Sequence, residues 1–76
     1  MTNRHIEVFK TNIAAETEAK QLARLLLLSY PDYKVNFDLD DCDHILRIES
    51  KERFIDHQGI NDICLDAGYY IEVLED

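Results

Sequence analysis

Tyr33-Lys34-Val35-Asn36-Phe37-Asp38-Leu39-Asp40-Asp41-Cys42-Asp43-His44-Ile45-Leu46-Arg47-Ile48-Glu49 is the stretch that decides the fold of this chain. Tyr33, Val35, Phe37 and Leu39 alternate with Lys34, Asn36, Asp38 and Asp40, the period of two that gives a strand one apolar and one polar face. A polar break over residues 40–43 leads into a second alternation, in which Leu46 and Ile48 oppose Ile45, Arg47 and Glu49. Two strands joined so briefly predict an antiparallel hairpin.

The period changes on both sides of the hairpin. Upstream, Ala15, Ala19, Leu22, Ala23, Leu26 and Tyr30 fall at helical spacing, with Glu16, Glu18, Lys20, Gln21 and Arg24 on the other side. Leu25, Leu27 and Leu28 widen the apolar stripe, which predicts a well-buried helix over residues 14–30, ended by Pro31 and Asp32. Asn12 is its expected N-cap, and Glu16 and Glu18 suit the positive end of its dipole. Residues 5–10 read as a strand in which Ile6 and Val8 alternate with Glu7 and Lys10, Phe9 being the exception. Downstream, Ser50 is the expected cap of a second helix with Phe54, Ile60, Ile63, Cys64 and Ala67 on its apolar face. Gly59 weakens the expectation that this helix is continuous. Gly68 suits the position just past its end, and residues 69–74 put Ile71 and Val73 opposite Tyr70, Glu72 and Leu74 as a last strand.

The order is therefore β-α-β-β-α-β, an α+β fold of the ferredoxin-like kind: a four-stranded antiparallel sheet with two helices on one face. Ile6, Val8, Val35, Phe37, Leu46, Ile48, Ile71 and Val73 are expected to face the helices. Seventy-six residues make one domain, residues 1–76, with little room for a second core.

Composition narrows the function classes. The net charge of −8 argues against nucleic acid, whose phosphates are neutralised by lysine and arginine, and against anionic membrane surfaces. The longest apolar run, residues 25–28, is far shorter than the ~20 residues that span a bilayer. With no export signal and two cysteines, the expectation is a cytoplasmic protein with reduced thiols.

In the expected topology three connections meet at one end: Thr11-Asn12-Ile13, the turn with Asp41, Cys42 and Asp43, and Ala67-Gly68-Tyr69. Loops on a rigid scaffold usually carry function, so Thr11, Asn12, Asp41, Cys42, Asp43 and Tyr69 are the candidate binding-loop residues. The element order, size and closing passage Ala67-Gly68-Tyr69-Tyr70-Ile71-Glu72-Val73-Leu74 resemble the heavy-metal-associated domains of copper chaperones and metal-transporting ATPases. That family holds Cu(I) with a Cys-x-x-Cys pair in the first loop. Lys10-Thr11-Asn12-Ile13-Ala14-Ala15 stands here instead, so no metal ligand carries over. Cys42 beside aspartates and His44 offers zinc-type donors, but adjacent residues of a tight turn seldom converge, and the acidic run lacks the glycine and closing glutamate of a calcium loop. Cys64, on an apolar helix face, is expected to be inert. The expectation is no metal and no cofactor.

No nucleophile elbow, phosphate loop or His-x-x-x-His pattern points to catalysis, and Cys42 with His44 would align as nucleophile and base only if strand geometry ran through the turn. The uncovered sheet face is expected to carry Phe9, Ile45, Tyr70 and Leu74 as an interface for a protein partner or a symmetric homodimer. The resulting expectation is a non-enzymatic interaction module. Its alternatives are a metal-responsive protein using Cys42, or an ACT-like small-ligand domain, for which a glycine-rich first loop is missing.

Overall fold

The computed structural model describes residues 5–51 and 55–74. Its elements run β1 (His5–Thr11), α1 (Glu16–Ser29), β2 (Lys34–Asp38), β3 (Ile45–Ser50), α2 (His57–Asp66) and β4 (Ile71–Val73). The strands form one antiparallel sheet in the order β2-β3-β1-β4, so β1 and β3 are central and β2 and β4 are edges. This is the ferredoxin-like α+β arrangement expected from the element order.

The core lies between sheet and helices: Phe9, Ile13, Leu22, Leu26, Leu46, Ile48, Ile55, Ile60 and Cys64 are all buried. Each large apolar side chain removed from water contributes about 1.5–3 kcal/mol. Burial also pushes the Cys64 thiol up to about 11, which keeps it protonated and unreactive.

The phase of β1 is opposite to the sequence expectation. Phe9 pairs with Leu46 and Val73, and Glu7 pairs with Ile48, so Phe9 and Glu7 share the helix-covered face. Phe9 is 1% exposed and belongs to the core, whereas Ile6 is 50% exposed on the open face with Val8. The reason is continuity: Phe9, Thr11 and Ile13 alternate in one phase, and all three are buried. A one-residue phase change carries every side chain of the strand to the other face.

Ile45 does lie on the open face, opposite Lys10 and Asp38, but it is only 6% exposed. Phe9 and Ile45 are therefore removed from the interface expected there. Tyr70 and Leu74 remain exposed.

The helix starts also shift. α1 begins at Glu16 after Ala15, with no side-chain cap, because Asn12 is engaged elsewhere. α2 is capped by Asp56, whose carboxylate accepts the Gly59 N–H at 3.0 Å. Ser50, the expected cap, is instead the buried last residue of β3. The expected contribution of Phe54 lies outside the described residues. Gly59 sits within a continuous α2. Gly68 takes φ +95°, and the Gly68 and Tyr69 N–H groups close the helix on Leu65 and Cys64 carbonyls, the Schellman pattern.

α1 is less buried than its leucines suggest. Only Ala19, Leu22 and Leu26 are fully covered, while Leu25, Leu27 and Leu28 are exposed, Leu28 by 75%. With one sheet to pack on, a helix covers one stripe, and leucines beyond it face water.

Candidate functional site

The three connections do meet at one end, and hydrogen bonds close them against one another. The Thr11 hydroxyl donates to the His44 carbonyl at 2.6 Å and accepts the Ile13 N–H at 3.1 Å, while the Thr11 N–H reaches the Asp43 carbonyl. Asn12 donates its N–H to the Tyr70 carbonyl, and its side-chain oxygen accepts the Tyr70 N–H at 2.9 Å. The Asn12 side chain thus adds a rung to the β1–β4 ladder. Burial and the Glu18 carboxylate, which accepts the Tyr69 hydroxyl, hold the Tyr69 phenol above its ordinary range. Thr11, Asn12 and Tyr69 are accounted for as fasteners.

Asp41, Cys42 and Asp43 bring two carboxylates and a thiol within 4.8 Å of one another on the hairpin turn. The turn has its own explanation: Asp41 Oδ1 accepts the Asp43 N–H at 2.9 Å, and the Asp41 carbonyl accepts the His44 N–H. Lys10 Nζ lies 3.9 Å from Asp43. His44 follows in the left-handed region at φ 49°, a region histidine enters more readily than most residues.

A surface not read from the sequence lies beside the other edge of the sheet. Val35, Phe37 and Leu39 point towards α1 but are only half-buried, because α1 presents Ala19 and Ala23 to them. Short side chains leave an open groove of about 510 Å³ between α1 and β2, rimmed by Glu16, Asp38 and Asp40 with Lys20 beside them. The spacing of Ala15, Ala19 and Ala23 carried this signal: small residues at i, i+4 and i+8 where a packed helix would place large ones.

The far ends of α1 and α2 are knotted together. The Tyr30 and Tyr33 rings stack at 4.6 Å, the Tyr30 hydroxyl donates to Asp56 Oδ2 at 2.8 Å, and the Tyr33 hydroxyl accepts the Asp56 N–H at 3.1 Å. The Gly59 N–H and then the Tyr30 hydroxyl hold the Asp56 carboxyl below its usual range. Burial, followed by the bond to anionic Asp56, pushes the Tyr30 phenol from 10.0 up to about 12. A raised phenol is stabilising while protonated, so its contribution is complete below pH 10 and is lost as pH climbs towards 12. In an ultraviolet titration Tyr30 should ionise last, and Tyr30→Phe should remove the latest component. Loss of an early component instead would contradict the knot.

Among known proteins, no family model, curated protein or solved structure matches the chain. Among the described residues, no helix is long and apolar enough to cross a membrane.

Proposed function

We propose that this domain is a non-enzymatic interaction module that binds an extended, basic and partly apolar segment of another protein along β2. The observation that carries this reading is the α1–β2 groove. β2 is an edge strand that pairs with β3 alone among the described residues, and its half-buried Val35, Phe37 and Leu39 floor the groove next to that edge. Strand addition uses such an edge: backbone bonds supply affinity, and alternate side chains enter the neighbouring groove.

The occupant follows from charge. Glu16, Asp38 and Asp40 ring the groove on a chain of net charge −8, which favours a lysine- or arginine-bearing segment and disfavours a second copy. The open sheet face serves this role less well, since Arg47, Lys10 and Glu49 occupy its middle and Lys34 lies 3.9 Å from Glu49. The resemblance to heavy-metal-associated domains extends, in this reading, to the scaffold, with recognition moved from the loop end to the side of the sheet.

The test is an NMR titration of the ¹⁵N-labelled chain with a capped synthetic peptide of alternating valine and lysine. Amide shifts over residues 16–23 and 34–40 are expected, with binding weakened at least about tenfold by Ala23→Arg and by 0.5 M salt. Arg47→Glu on the open face should leave affinity unchanged. Shifts confined to the open face, no shifts at millimolar peptide, or a dimer formed through β2 in sedimentation would each reject the reading.

A further inference from the structure

The row of small residues that opens the α1–β2 groove changes character further along the helix. Ala19, Ala23 and Leu27 succeed one another at intervals of one helical turn, so they lie in a single line along α1. After the two alanines the line ends in Leu27, with Leu28 beside it, and these side chains are 37% and 75% exposed. With Lys20, Ala23 and Arg24 they border an open apolar shelf. Lys20 and Ala23 also line the α1–β2 groove, so the shelf continues it. Glu16, the first residue of α1, lines the groove together with Asp38 and Asp40 at the far end of β2. The two elements therefore run in opposite directions, and the shelf lies towards the start of β2.

Charge divides along the same line. Glu16, Asp38 and Asp40 put carboxylates at one end of the groove, whereas the charged residues bordering the shelf are Lys20 and Arg24. Among the described residues neither cation takes part in an ion pair. Arg24 stands about 12 Å beyond Glu16 along the helix. Physiological salt screens exposed charges over about 8 Å, so the two ends act on a bound segment as separate poles.

We infer, on the basis of strand addition at the groove, that the bound partner segment carries its basic residues first and its aliphatic and acidic residues after them. Its direction follows from β2: every pairing in this sheet is antiparallel, and an antiparallel newcomer starts where β2 ends, beside Asp38. The basic part then lies among Glu16, Asp38 and Asp40, and the aliphatic part reaches Leu27 and Leu28 with its carboxylates near Lys20 and Arg24. About six extended residues cover the roughly 18 Å of helix from Glu16 to Leu28.

The experiment titrates the ¹⁵N-labelled chain with two capped peptides of one composition, Lys-Val-Lys-Val-Leu-Glu-Leu-Asp and the same residues in reverse order. The basic-first order is expected to bind at least about tenfold tighter. It should also move the amides of residues 24–28, which the alternating valine–lysine peptide leaves in place. Arg24→Gln and Leu28→Ser, at exposed positions, should each weaken the basic-first peptide at least about threefold and change the valine–lysine peptide by less than about twofold. Equal affinity for the two orders, or tighter binding of the reverse order, would overturn the inferred polarity while the valine–lysine peptide still binds the groove. No binding of any of the three peptides would overturn the polarity and the groove together. Self-association of the peptide-free chain through β2, whose own residues run from Lys34 to Asp38, would assign the surface to a second copy and likewise overturn it.

Discussion

Phe9→Ala should lower the free energy of unfolding by about 3–5 kcal/mol in chemical denaturation, the range for removing a buried aromatic ring. Domains of this length have roughly 4–11 kcal/mol in total, so the variant sits near the edge of folding. Phe9 is fully enclosed between its strand neighbours Leu46 and Val73 and the helices above. Ile6→Ala, on a half-exposed side chain of the same strand, should cost about 1 kcal/mol or less. The pair of variants reads the phase of β1 directly. A larger loss for Ile6→Ala than for Phe9→Ala would return the strand to the opposite phase.

Gly59→Ala should destabilise by about 1–3 kcal/mol, although helix propensity alone favours alanine by about 1 kcal/mol. Gly59 lies in the first turn of α2, and a Cβ there would collide with the Tyr30 hydroxyl and stand 2.5 Å from Asp56 Oδ2. The collision falls on the hydrogen bond that ties the two helix ends together. Tyr30 has little freedom to yield, since its ring is stacked on Tyr33. Thermal unfolding of Gly59→Ala, Tyr30→Phe and the double variant separates the causes. Removing the hydroxyl frees space for the new methyl, so the double variant should lose less than the two single losses added together. Simple additivity would mean that the glycine is required for some other reason.

The hairpin over residues 33–49 was legible because its alternation is long and one-sided, and the rest of the topology followed from the change of period on either side. What the sequence concealed has three physical sources. In β1, apolar residues occur in both phases, so alternation counted Ile6 and Val8 and missed the chain's continuation through Thr11 to Ile13. In α1, leucine marks an apolar side chain without saying whether a second layer exists to cover it. The capping signals misled where the same side chain had a better partner: Asn12 is taken by Tyr70 from 58 residues away, and no local pattern carries that. The candidate site shared these causes. The loop end was located by topology, but its closure by hydrogen bonds is tertiary.

The fasteners at that end have a consequence for how the chain chooses its fold. β1 is nearly balanced: shifted by one residue it would trade Phe9 for Ile6 and Val8 at a small difference in apolar burial. Hydrophobicity by itself would leave two competing strand registers close in energy, the kind of frustration that populates misfolded compact states. Thr11 and Asn12 break the tie. The Thr11 hydroxyl must reach His44 and Ile13 together, and Asn12 must meet Tyr70 through both backbone and side chain; a slipped strand satisfies neither. At the connection from β1 to α1, this chain has two small polar side chains that act as a stop on the sliding of its own central strand.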